Sequence, residues 1–169
     1  ALAERMADFG VPMAFHHHMG TIVESDVEVD RLMAVTGPAV GLLYDTGHSA
    51  FAGGDPVALV ARHVARIVHV HCKDTRPDML ARARRDDMSF MQAVMDGIFT
   101  VPRDGSVDYA TILRTLHDGG YDGWLVVEAE QDPRKAIPLT YATMGYRNLV
   151  GLAEGAGFTV EARGGMIGR

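Results

Sequence analysis

Cysteine is almost missing from this chain of 169 residues. The single thiol, Cys72, has no partner for an internal disulfide, which fits a reducing compartment and makes the cytoplasm the expected location. No apolar run is long enough for a transmembrane helix. Positive charge is in deficit: 16 Lys plus Arg against 22 Asp plus Glu leave a formal net charge of −6. That sign opposes nucleic acid and anionic membrane as general partners. An initiating Met and a signal peptide are both lacking, and "ALAERMADFG" reads as the second half of a helix running into a turn. The chain is therefore expected to start inside a larger domain.

What is present is globular. Apolar residues make up 47% and charged residues 22%, enough for one domain with a sizeable core. Four strand-like runs occur: "VPMAFHHH" (11–18), "VGLLYD" (40–45), "IVHVHCK" (67–73) and "GWLVVEAE" (123–130). Each is mostly a continuous Val/Leu/Ile run, which suits parallel strands covered on both faces. Helical patterns fall at about 27–35, 56–65, 108–119 and 133–153. Asp55-Pro56 reads as an N-cap followed by Pro at the first helical position, and Asp132-Pro133 repeats it. Gly119-Gly120 stops the third helix. Strands alternating with helices imply right-handed βαβ units, hence an α/β fold. A long excursion, 75–106, follows the third strand, with a helical stretch of its own and the turn "VPRDGS"; this is where α/β enzymes place active-site loops. Trp124, just inside a strand start, is expected in the core. The final "EARGGMIGR" reads as a loose tail.

The three histidines of "HHHMGT" are no tag scar, because an apolar strand leads into them. All four strands end in groups that bind metals or move protons: His16, His17 and His18; Asp45 with His48; His69, His71 and Lys73; Glu128 and Glu130. In parallel α/β folds the C-terminal strand ends share one side, so these groups are expected to converge. Alternation puts His16 with His18, His69 with His71 and Lys73, and Glu128 with Glu130. His17 should point away, toward the helix layer. Carboxylates and imidazoles without a thiolate favour a borderline or hard divalent ion such as Mn²⁺, Co²⁺ or Zn²⁺. Taken singly, Asp45 reads as no more than a cap on the turn "DTGH", Glu128 as the partner of an Arg, and Lys73 equally well as a solvated lysine at a strand end. Cys72, facing away from its neighbours, reads as inert packing.

"AFHHHMGT", "GLLYDTGH", "HVHCKD", "FTVPRDGSVDY" and "GWLVVEAEQDP" together resemble the myo-inosose-2 dehydratase family, within the xylose isomerase-like group of TIM barrels. The match runs from about residue 1 to 152 and covers only the second half of a family member. The resemblance implies a (β/α)8 barrel of which strands 5 to 8 are here, with 1–154 as the half-barrel and 155–169 as tail. It also implies a divalent metal, Mn²⁺ or Co²⁺, and for some members glutathione. Asp45 matches the strand-6 carboxylate, His71 the strand-7 imidazole and Glu128 the strand-8 carboxylate. Many members of the wider group have a strand-5 glutamate where this chain has histidines. His18 is assigned as fourth ligand on facing, with His16 or Glu24 as alternatives. His48 matches a histidine that contacts substrate or moves a proton.

The implied reaction removes water from the polyol ketone 2-keto-myo-inositol. His48, Glu130 and the inward histidines of strand 5 are the candidate proton carriers, and His16, His48 and Lys73 the candidate substrate contacts. One rival is a ketose isomerase or epimerase of the same group, using the same metal without elimination. A repair endonuclease fits poorly with a charge of −6. A second rival is an incompetent fragment. Four strands cannot close an eight-stranded barrel, so the chain alone is expected to aggregate, pair as a homo-oligomer or exist within a longer protein.

Overall fold

The computed structural model describes residues 2–160, and the expected tail at 161–169 lies outside them. Helix α1 (Leu2–Asp8) leads into β1 (Met13–His16), α2 (Asp26–Val35), β2 (Val40–Asp45), α3 (Thr46–Phe51), α4 (Pro56–His63) and β3 (Ile67–Cys72). The excursion after β3 contains β4 (Asp74–Thr75), α5 (Pro77–Arg85), α6 (Phe90–Asp96) and β5 (Phe99–Thr100), with β4 and β5 antiparallel. Then come α7 (Tyr109–Asp118), β6 (Leu125–Val127) and α8 (Pro138–Ala156).

The main sheet is parallel throughout, in the order β1-β2-β3-β6. Its outward side chains explain the continuous apolar runs. Leu42, Tyr44, Val70 and Cys72 are wholly buried against Val29, Leu59, Val60, Ile112, Leu113, Leu116 and Leu149 of the helix layer. Full burial of each large aliphatic side chain contributes roughly 1.5–3 kcal/mol. Gly145 lets α8 approach β6, since a Cβ there would stand 2.6 Å from Val127 Cγ1. Burial pushes the Cys72 thiol pKa well up, which agrees with inert packing.

Local chemistry sets the helix starts. Ser25 and Glu28 form a reciprocal capping box on α2. Asp55 caps α4 with Pro56 behind it, and Gly119 ends α7 as expected. Asp132-Pro133 is different. Asp132 accepts from Arg134 N–H and pairs with its guanidinium, so the stretch is a closed turn and α8 starts five residues later, at Pro138. At its other end α8 continues past the expected boundary at 154 to Ala156, and Phe158 packs on the core. Trp124 is also corrected: it precedes β6, its carbonyl accepts from Val70 N–H, and its ring is 70% exposed.

Two strands are shorter than the apolar runs. β1 stops at His16, because His18 N–H turns back to the Val23 carbonyl. Similarly, β6 stops at Val127, leaving Glu128 and Glu130 beyond the strand. Alternation carried past the end of β1 misplaces His18, whereas Glu128 and Glu130 beyond β6 still both reach Lys73.

Candidate metal centre

β2 delivers Asp45 as its last residue, and α3 begins on it. The Asp45 carboxylate caps α3 by accepting the His48 N–H on Oδ1 at 2.9 Å, and it also offers Oδ2 to the site. Capping and site membership thus coexist in one residue. Around Oδ2 stand His16 Nε2 at 3.3 Å, Lys73 Nζ at 3.4 Å, His71 Nδ1 at 3.5 Å and His48 Nε2 at 3.9 Å. Burial alone would raise the Asp45 pKa; the His16 and His71 contacts and the Lys73 charge hold it well below the ordinary carboxylate range.

His71 and Glu128 complete the first group. Their Nδ1 and Oε2 atoms face each other at 2.6 Å, both buried, and among the described residues neither has a partner in hydrogen-bond geometry. Buried polar atoms are rarely left so. Asp45, His71 and Glu128 each point one donor atom into a space where all three lie within 4.8 Å of one another. Two carboxylates and an imidazole are the donor set of a divalent cation, and the residues fit one. The Asp45 and Glu128 carboxylates push the His71 pKa up to about 9, so protons and a cation compete for that ring.

Lys73 is the centre of a second group. It is fully buried, which corrects the solvated alternative. Nζ donates to Glu130 Oε2 at 2.8 Å, lies 3.0 Å from His48 Nε2 and 3.4 Å from Glu128 Oε2, and sits 4.9 Å over the Phe99 ring. Burial opposes its charge; Asp45, Glu128 and Glu130 outweigh burial and raise its pKa. His48 is also fully buried, and desolvation with the nearby Lys73 charge lowers its pKa to about 2, so the ring is neutral.

The strand-5 histidines separate. His16 remains on β1 beside Asp45, with its ring 4.9 Å from that of His71. His18, assigned above as fourth ligand, lies elsewhere: its Nδ1 donates to the Met19 carbonyl, its ring stacks 3.7 Å from His48, and Nε2 is 3.9 Å from Glu130. It groups with His48 and Glu130, whereas His16 groups with Asp45 and His48. The cause is the end of β1, which puts His18 in a turn. Glu24 accepts from Gly20 N–H and belongs to none of the donor groups. His69 touches His71 by ring contact only. His17 is fully buried with its Nε2 accepting the Asp45 N–H at 3.2 Å, and desolvation lowers its pKa to about 4.

Other contributors lie in or near the quoted motifs but are assigned no role from the sequence. Thr46 Oγ1 binds the Lys73 carbonyl at 2.7 Å and the Tyr109 hydroxyl at 2.9 Å, tying β2 to β3. Asp74 accepts four backbone N–H groups, from Thr75, Arg103, Gly105 and Val107, and so clamps the "VPRDGS" loop. Phe90 and Phe99 from the excursion pack against His18 and His48, walling one side of the site. Asp74 is the last residue of "HVHCKD".

A model of the family described as xylose isomerase-like TIM barrel matches residues 1–147. The rhizopine catabolism protein MocC of Rhizobium meliloti is 68% identical over 161 residues, which cover 95% of this chain and 50% of that protein. The inosose dehydratase of Bacillus licheniformis is 49% identical over 142 residues, 83% of this chain and 47% of the enzyme. That of Clostridium botulinum is 46% identical over 145 residues, with 85% and 49% covered. The chain thus spans about half the length of the curated relatives it matches. Among solved structures, the IOLI protein with a bound zinc atom is similar at a TM-score of 0.68 and 18% identity, over 94% of this chain and 54% of that one; a likeness so distant shows the fold alone. With its parallel sheet, outer helix layer and half the length of its relatives, this chain belongs to the xylose isomerase-like TIM barrel family, as about half of a barrel.

Proposed function

We propose that the protein containing this chain is a metal-dependent dehydratase that removes water from 2-keto-myo-inositol to give a trihydroxycyclohexane dione. The observation that carries the reading is the pair of unpartnered buried atoms, His71 Nδ1 and Glu128 Oε2, beside Asp45 Oδ2. Relatives named inosose dehydratase, at 46–49% identity, supply the substrate class.

Asp45, His71 and Glu128 would hold the cation, with His16 rather than His18 as the fourth donor. A bound divalent cation, Mn²⁺ or Co²⁺ by resemblance, supplies a Lewis acid for a ketone oxygen, contributing several kcal/mol of charge stabilisation. The Glu130 carboxylate takes the proton alpha to the ketone. Lys73, whose Nζ is 2.8 Å away, donates an ammonium proton to the departing beta hydroxyl and recovers one from Glu130. The proton count closes: one leaves carbon and one departs in water. His48, neutral, accepts the Met19 N–H on Nδ1 and so carries its proton on Nε2, 3.5 Å from Glu130 Oε2, where it faces that carboxylate. Phe90 and Phe99 exclude water from that side.

The 68% identity to a rhizopine catabolism protein favours a second reading, the same elimination on a ketone produced during rhizopine breakdown. A product assay on the full-length protein, with and without chelator, tests both. The expected result is chelator-sensitive formation of the dione from the inosose. A ketose isomer as product would make the protein an epimerase or isomerase, and chelator-resistant turnover would overturn the metal reading.

A further inference from the structure

β1 ends at His16, yet β2 runs on to Asp45. The last N–H of β2 therefore has no β1 carbonyl opposite it, and a different acceptor is present. The His17 ring turns in beneath the sheet, fully buried, and Nε2 accepts the Asp45 N–H at 3.2 Å. Nε2 is the acceptor, so the ring proton is on Nδ1. Among the described residues Nδ1 has no partner. A leucine or phenylalanine would fill this space without burying an unpaired N–H, so packing alone does not explain a histidine here.

We infer that His17 is a positioning residue for the metal centre: its imidazole replaces a missing strand carbonyl and fixes the backbone of the Asp45 ligand. Asp45 is then held at two points, its amide by His17 and its Oδ1 by the His48 N–H, which leaves Oδ2 aimed at His71 and Glu128. Groups that orient a ligand in this way set how tightly the cation is held. The inference rests on the reading of Asp45 as ligand; strand alternation sets His17 apart from His16 and His18, and its bond to the Asp45 N–H is what the sequence does not show.

The test measures cation affinity calorimetrically on the full chain, with Mn²⁺ or Zn²⁺ as probe, alongside the melting temperature of the metal-free protein. His17→Phe keeps the ring volume and removes the acceptor. It is expected to weaken cation binding about 10–100-fold, with only a small change in the metal-free melting temperature, because the unpaired Nδ1–H is gone while the Asp45 N–H loses its acceptor. His17→Gln, whose amide oxygen reaches the place of Nε2, is expected to restore most of the affinity. His17→Asn, one methylene shorter, is not. Affinity unchanged in His17→Phe overturns the inference; if that variant does not fold, equal affinities for the Gln and Asn variants do so. Asp45→Asn separates the two levels. If it abolishes binding while His17→Phe leaves binding intact, only the role of His17 fails. If Asp45→Asn itself binds normally, the metal reading and the inference both fall.

Discussion

Two clusters of carboxylate and imidazole lie side by side at the ends of the strands, and they are in opposite states. In the Asp45, His71 and Glu128 group, His71 Nδ1 and Glu128 Oε2 face each other without a hydrogen-bond partner among the described residues, and the Lys73 ammonium stands back at 3.4 Å from Glu128 and Asp45. The His18, His48 and Glu130 group has donor atoms equally close together, yet the Lys73 ammonium bonds Glu130 at 2.8 Å and meets His48 at 3.0 Å. The first cluster is arranged for a cation from outside, with Lys73 at its edge, whereas in the second the ammonium is bonded directly to Glu130. Residue type therefore does not distinguish a ligand from a proton carrier. What distinguishes them is whether the lone pairs are already used.

Removing the internal cation is the strongest way to break the contrast. Lys73→Met leaves Asp45, Glu128 and Glu130 without their buried partner, and loss of one side of such a network costs about 3–5 kcal/mol. A drop of that size in the unfolding free energy of the metal-free protein is expected, with loss of turnover. The variant should also take up a second equivalent of cation at the vacated position, readable by calorimetric titration. Parental stability and unchanged stoichiometry would erase the distinction between the clusters.

A smaller change sharpens it. Gly47, in α3, stands against the Lys73 stem, and a Cβ there would lie 2.6 Å from Lys73 Cγ. Gly47→Ala therefore displaces the stem from inside, with an overpacking penalty of about 1–3 kcal/mol. Turnover is expected to fall while cation affinity stays at the parental level, because Nζ moves and the Asp45 group does not. Equal losses of both would show that the two clusters are one unit.

The sequence makes some of this plain and hides the rest for definite reasons. Strand order and helix positions follow from continuous apolar runs that the structure buries against the helix layer, as with Leu42, Tyr44 and Val70. Convergence of parallel strand ends brings all the candidate groups to one side, and it is the resemblance that singles out Asp45, His71 and Glu128, whose donor atoms lie within 4.8 Å of one another. His18 is not, since the facing argument assumes that β1 continues, and a turn bond from His18 N–H to the Val23 carbonyl ends it. Asp132-Pro133 has the chemistry of a helix start but is captured by Arg134 in a local turn. Lys73 illustrates a different limit. A lysine after a strand reads as solvated, and only the three carboxylates gathered from β2 and the segment after β6 make its burial tolerable.

The most direct test is anomalous X-ray diffraction from crystals of the full chain grown with Mn²⁺ or Co²⁺, recorded at the metal edge. A single anomalous peak within bonding distance of Asp45, His71 and Glu128, with Lys73 still bonded to Glu130, is the predicted result. A peak among His18, His48 and Glu130 instead, or no peak near either cluster, would contradict it.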